Sequence, residues 1–347
     1  MSKKNSEIAG DRSQLHVPAT PVACPKNVNY LQELVREREI GVVINQTGFD
    51  AEVLDLVISV NDVCRLYTVH HNCVACLQEH HQSIVEHYLD ACRVPRLLRP
   101  QLLYGMLKTR SRIRTGRCIE RAVRESTRLV LLANTFIDEL STYTNRINVQ
   151  KVVAISNPAP FSSDPTALTE KEEILLFVGR LENAQKRVDR LLDIWSAIST
   201  KHKSWRLDIV GDGPDRGALQ EYAVSLGLER VAFHGQQDPV PYYRKAKLLL
   251  MTSEFEGFGM VLVEAQAFGC VPIAFECFSA IGEIIEDHRS GFIVERGNTT
   301  SFIARLDAAL ADGGKLESMS IEAIRSVEKF SSERISEQWL TYFQEPL

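Results

Sequence analysis

The chain has 347 residues, 44% hydrophobic and 24% charged, with a net charge of −5. That length suits two domains better than one, and the apolar content is enough for two buried cores. The mild acidity excludes the electrostatic footprint of a nucleic-acid binder, and no apolar run is long enough to cross a bilayer.

Residues 1–26 are polar, hold three prolines and show no period, so they read as a disordered lead-in. The opening Met-Ser-Lys-Lys has charge but no apolar region behind it, unlike a secretory signal. The eight cysteines are accordingly read as reduced thiols of a cytoplasmic protein. Short apolar runs at 41–44, 65–69, 129–132 and 152–155 alternate with helical stretches, which predicts βαβ units around a parallel sheet. The second run ends in Tyr67-Thr-Val-His70-His71-Asn72, which places two histidines at a strand end. Next come Cys73, Cys76, His80 and His81. Their spacing is too tight for the usual zinc modules, and periodicity predicts instead a helix over 74–88 on which Cys73, Cys76 and His80 share a packed face. Residues 93–117 carry eight Arg or Lys and no acid, interleaved with leucines. That stretch suits an anionic lipid surface or a lipid-linked diphosphate, and equally a solvated, partly mobile basic loop. Aromatic residues for stacking are scarce there, which disfavours nucleic acid. Residues 157–169 are rich in Pro and Ser and read as the linker between domains.

A second alternating block has strands predicted near 174–178, 207–210, 231–233, 248–251, 271–275 and 292–294. The last helix, near 331–343, puts Ile335, Trp339 and Phe343 on one face. The segment Glu256-Gly257-Phe258-Gly259-Met260-Val261-Leu262-Val263-Glu264 is the most informative. It turns a buried strand into a helix whose N-terminal N–H groups, reached past glycines, can cradle a phosphate between two carboxylates. Arg180 follows Gly179 at another strand end, with Lys186 six residues later, where open α/β sheets bind ligands. The run Gly211-Asp-Gly213-Pro-Asp-Arg-Gly217 mimics a dinucleotide fingerprint, but its third glycine comes one place late and no acid follows at the expected distance. A plain strand-to-helix turn is the better reading, and an NAD-dependent oxidoreductase is not.

The Glu256–Glu264 segment resembles the Glu-x7-Glu motif of the retaining family 4 glycosyltransferases, also called glycosyl transferases group 1. Phe177–Leu181 with Lys186, Leu207–Gly213, Val231–Gly235, and Glu283–Ile285 with Gly291–Val294 resemble further elements of that family. The likeness is strong over 172–343, weak over 27–160 and absent over 1–26. It implies an α/β protein of two facing Rossmann-like domains, the GT-B fold. Residues 27–160 plus a returning helix over 331–347 would form the acceptor side, and 161–330 the donor side. The family's usual first strand and glycine-rich loop are not found in the N-terminal domain.

By resemblance, Arg180 and Lys186 hold the diphosphate of a UDP- or GDP-sugar, beside Gly179. Glu256 faces the sugar, Glu264 bonds the ribose, and Gly257, Phe258, Gly259 and Met260 contribute backbone contacts. His71, or less well His70, would reach the sugar or acceptor from across the cleft. With no Asp-x-Asp element, no metal or other cofactor is expected. The implied activity is retaining hexosyl transfer to a glycan or lipid-linked acceptor in surface polysaccharide synthesis. The expected location is cytoplasmic, with peripheral contact at the inner membrane face through 93–117. The alternative is a nucleotide-sugar-binding protein of little activity, a truncated paralogue or one subunit of a two-chain transferase.

Overall fold

The computed structural model describes residues 21–75 and 101–344. The first part runs α1 (Pro25–Glu37), β1 (Val42–Asn45), α2 (Ala51–Ile58), β2 (Arg65–His70), α3 (Gln101–Glu125), β3 (Arg128–Leu131), α4 (Asn134–Glu139) and β4 (Val152–Ala154). Each crossover is long enough to bring the chain back in the same direction. The four strands accordingly pair in parallel in the order β1-β2-β3-β4. Local chemistry sets the ends: Asp50 caps α2 by accepting from Glu52 N and Val53 N, each at 3.0 Å.

The second part runs β5 (Glu172–Val178), α5 (Asn183–Lys186), α6 (Val188–Ile198), β6 (Arg206–Val210), α7 (Arg216–Ser225), β7 (Val231–Gly235), α8 (Val240–Lys245) and β8 (Ala246–Met251). It continues with α9 (Met260–Ala267), β9 (Val271–Phe275), α10 (Ile281–Ile284), β10 (Phe292–Val294), α11 (Thr299–Ala311), α12 (Gly313–Val327) and α13 (Ser332–Phe343). Among the described residues, six strands pair in parallel in the order β10-β9-β8-β5-β6-β7. The chain winds from β5 out to β7, then returns to β8 on the other side of β5. Strand order therefore reverses between β5 and β8, and the space beyond the carboxyl ends of such strands is where open α/β sheets bind ligands.

Both sheets are covered on both faces, as all-parallel sheets must be. Along β2 the period of two sends Leu66 toward Ile119, Ala122 and Val123 of α3, and Tyr67 and Val69 to the opposite face. That opposite face is sealed by α13, the last helix, which returns to the first sheet. Ile335, Trp339 and Phe343 recur at four-residue spacing and pack with Tyr67, Val130 and Val153. Tyr67 meets Trp339 and Phe343 edge-on at 5.8 and 5.2 Å, and its hydroxyl donates to Tyr342 O at 2.7 Å. Such aromatic pairs contribute about 1 kcal/mol each beyond burial.

Four sequence expectations change. The lead-in over 1–26 is too long by at least two residues, because Pro25 and Lys26 already lie in α1, where proline suits the first turn. The basic stretch over 93–117 is not a loop where the structure describes it: from Gln101 it is the helix α3, anchored by buried Ile119, Ala122 and Val123. The linker over 157–169 is tied down. Ala159 N donates to Phe330 O at 2.7 Å, Asp164 N donates to Ala267 O at 2.8 Å, and Ala167 is fully buried in a 3-10 turn over Pro165–Glu170. The helix expected over 74–88 does not begin at Val74, which lies in a bend. Its remainder, with Cys76, His80 and His81, lies outside the described residues, as do 93–100. No helix among the described residues is long and apolar enough to cross a membrane.

Candidate active site

The crevice is built from the turns after β5, β6 and β8. The β5 and β6 turns lie backbone against backbone: Gly179 N donates to Val210 O at 3.0 Å and Leu181 N to Asp212 O at 2.9 Å. A Cβ at Gly211 would stand 1.9 Å from Gly179 O, and one at Gly213 would stand 2.4 Å from Leu181 O. Two members of the mimicked fingerprint are therefore glycine because two loops touch, and Gly217 faces open space. This accounts for the run without any dinucleotide.

From the β5 turn, α5 carries Lys186 across to the loop after β8. Its Nζ donates to Glu256 Oε1 at 2.7 Å, and Ser253 Oγ donates to the same oxygen at 2.7 Å. Only 18% of the lysine side chain and 8% of the glutamate side chain are exposed. Charges so withdrawn from water interact more strongly than surface pairs. Arg180 behaves differently: 68% of its side chain is exposed, and Nη1 sits 3.2 Å from Glu182 Oε2. The structure thus unites Lys186 with Glu256 and leaves Arg180 at the rim.

Beyond Glu256 the chain enters α9 through Gly259, which is left-handed at φ 74°. There a Cβ would press to 3.0 Å from Phe278 Cζ, so glycine serves both the turn and the close approach. Phe258 is buried, with its ring edge-on to Phe136 at 6.5 Å and Phe330 at 6.0 Å, so its side chain is core. Met260 opens the helix, half-buried. About one turn further in, Glu264 accepts from the Tyr243 hydroxyl at 2.8 Å. Burial pushes the Glu264 carboxyl up against the pull of that bond, and burial with the glutamate beside it pushes the tyrosine well above its ordinary value.

The first sheet closes over this loop. Cys73 N donates to Gly257 O at 2.8 Å. A Cβ at Gly257 would lie 2.5 Å from Asn72 Oδ1 and 3.3 Å from His71 O, so the two segments approach closely here and a larger residue would displace the Asn72 side chain. Nearby, His71 Nε2 bonds Gln46 Oε1, and the Asn157 side chain also bonds this histidine. Burial lowers its pKa, and the Asn157 bond opposes that shift. His70 is engaged otherwise, stacked on Phe49 with ring centroids 4.2 Å apart. Cys73 Sγ lies 3.4 Å from the Glu139 carboxylate.

Two carboxylates complete the junction. Glu283 of α10 accepts from Asn134 N at 3.2 Å, Thr135 N at 2.9 Å and Thr135 Oγ1 at 2.9 Å, capping α4 from the second sheet. Glu139, at the other end of α4, accepts from Ala75 N at 2.7 Å and from Ser279 Oγ. Sequence reasoning missed Tyr243, Ser253, Gln46 and Asn157. Ser253 adjoins the motif and could have been noticed; the other three come from separate elements that only the fold brings together.

Comparison with known proteins bears on the fold and the family. Residues 159–326 match the family described as glycosyl transferases group 1. The amylovoran biosynthesis glycosyltransferase AmsD of Erwinia amylovora is 31% identical over 205 residues, 56% of this chain and 57% of that protein. The lipopolysaccharide 1,6-galactosyltransferase of Salmonella typhimurium is 31% identical over 174 residues, 48% of each. The chain spans about half the length of these curated relatives. Among solved structures, the apo lipopolysaccharide outer core galactosyltransferase WaaB superposes with a TM-score of 0.66 at 20% identity, over 91% of this chain and 78% of that one. HepE of Anabaena, solved with UDP, superposes with a TM-score of 0.66 at 16% identity, over 91% and 81%. The fold is the two-domain, Rossmann-like GT-B arrangement.

Proposed function

We propose, for a chain whose residues 159–326 match the glycosyl transferases group 1, that it moves a hexose from a nucleotide sugar to a glycan or lipid-linked acceptor. The observation that carries this reading is the Lys186–Glu256 pair at 2.7 Å, placed where strand order reverses and covered by the His71–Cys73 segment of the other sheet. An ammonium has three N–H donors and Glu256 takes one, so Lys186 can also bond a diphosphate oxygen. As the glycosidic bond breaks, charge grows on that diphosphate, and a fixed cation lowers the barrier. Arg180, exposed at the rim, swings in as the second cation. The N-terminus of α9 adds backbone donors, Glu264 takes the ribose and Glu256 the sugar. His71 approaches from the acceptor side.

Transfer proceeds with retention: the acceptor attacks the face the leaving phosphate departs from, and that phosphate helps accept the proton. Two cations supply the charge that a divalent ion would otherwise supply, so the reaction is metal-independent. The named activities of AmsD and the Salmonella enzyme favour surface polysaccharide synthesis, and the cations along α3 favour a place at the cytoplasmic membrane face. UDP in the HepE crystal favours a uridine donor over a guanosine one.

The test is a thermal-unfolding screen with UDP, GDP, ADP and their sugars, with and without EDTA. A ligand that binds only the folded state at a hundred times its Kd adds about 2.7 kcal/mol of stability. We expect one nucleoside diphosphate and its sugars to raise the midpoint equally in both buffers. A rise abolished by EDTA would refute metal independence, and no rise with any of them would refute the donor site.

A further inference from the structure

We infer that Glu254 and Arg187 are positioning residues for Lys186. This inference rests on the donor reading of Lys186 given above. Arg187, the next residue, is left-handed at φ 49° and ψ 49°, a conformation that side-chain-bearing residues adopt only when their surroundings hold them there. What holds it is the loop that also carries Glu256. Thr252 Oγ1 shares its one hydrogen between Lys186 O at 3.2 Å and Arg187 O at 3.0 Å, and Glu254 N donates to Gln185 O at 2.7 Å. Gln185 Nε2 returns a bond to Phe255 O at 3.2 Å. Three consecutive carbonyls, 185 to 187, are thus bonded to 252–254, and the register of the two segments fixes where the Lys186 stem begins.

Charge locks that register. The Glu254 carboxylate takes Arg190 Nη2 from α6 at 3.1 Å and Arg296 Nη2, beyond β10, at 3.0 Å, while Arg187 Nη1 stands 3.7 Å away. Arg187 also forks onto Asp189 at 3.0 and 3.1 Å. Burial would raise the Glu254 carboxyl, yet Arg296 and Arg190 bring it below its ordinary range. A lysine side chain has four rotatable bonds, so a site that needs its ammonium in one place must fix the backbone under it. Glu254 does this through three guanidinium groups, two at the start of α6 and one beyond β10, and the left-handed Arg187 turns the chain from α5 into α6 at the point where Lys186 must face Glu256.

The experiment is a double-mutant cycle read by calorimetric titration with UDP and with GDP, and by thermal unfolding of each variant. The variants are Arg187→Gly, Glu254→Gln and Lys186→Ala, then Arg187→Gly and Glu254→Gln each combined with Lys186→Ala. Glycine is at ease in the left-handed region, so Arg187→Gly should keep the native melting temperature or raise it. Its affinity should nonetheless fall about fivefold or more, as should that of Glu254→Gln, and both losses should vanish once Lys186 is alanine. Losses of equal size with and without Lys186, or no loss in Arg187→Gly, would overturn the positioning role. If Lys186→Ala alone weakens binding, the donor reading stands and this inference falls. If the native chain binds neither nucleotide, both fall.

Discussion

His70 and His71 stand side by side at the end of β2 and meet different surroundings. His71 is bonded by Gln46 and Asn157 beside the Gly257 contact. His70 lies on Phe49, and burial, with His71 adding to it, depresses its pKa from 6.5 to about 4. A histidine with a depressed pKa opposes folding in acid, because the unfolded chain takes up a proton that the folded one refuses. Stability should therefore fall as pH drops from 6.5 toward 4, by up to about 3 kcal/mol, and then level off. His70→Phe keeps the stacking and removes the titration. Its denaturant-unfolding free energy should vary less over that window than the native protein's; an identical slope would show that His70 is protonated in the fold. At this scale the sequence was partly legible. Lys186 and Glu256 could be found because strand ends and glycines mark a crevice. Tyr243 and Glu254 could not, since the Tyr243 partner lies 21 positions away in the chain and the Arg190 partner of Glu254 lies 64 away. Arg180 follows the end of β5 as the strand pattern predicts, but its exposure depends on which way a surface side chain turns, which no local pattern fixes.

Helix α3 shows how charge can mask period. Its seven Lys and Arg drew attention away from Gly116, Ile119, Ala122 and Val123, whose spacing of three and four marks one buried face. On the outer side Met106 and Ile113, 65% and 51% exposed, alternate with Arg110, Arg114 and Arg117 along one stripe. A stripe of cations with apolar side chains between them fits the surface of an anionic bilayer, at roughly 1 kcal/mol per cation. Changing Arg110, Arg114 and Arg117 together to glutamine should lower partition onto phosphatidylglycerol-containing vesicles about a hundredfold, with nucleotide affinity unchanged. Equal sedimentation of native and variant protein with such vesicles would remove membrane contact from the proposed function. Sheet strands were easier to read than this helix, because uninterrupted Val, Ile and Leu runs between turns have few other uses. Helix α13 was legible for the related reason that Ile335, Trp339 and Phe343 recur on one face.

Across the whole molecule, the two sheets meet through contacts that only the folded chain assembles. The Cys73–Gly257 backbone bond, Glu283 on the start of α4, Glu139 with Ser279, and Phe258 between Phe136 and Phe330 all cross the junction. None has a local sequence signature, whereas the division into two alternating blocks does. These contacts bring His71 beside the loop of Glu256, and in the proposed transfer, orientation of that kind would account for much of the rate. Every step of the proposed chemistry nonetheless depends on one claim, that Lys186 receives the donor's diphosphate. Calorimetric titration of native and Lys186→Ala protein with UDP and GDP tests it most directly. The account predicts micromolar-range or tighter binding of one nucleotide by the native chain, weakened by about 1.5–3 kcal/mol in the variant. Equal affinity in the two proteins would contradict it.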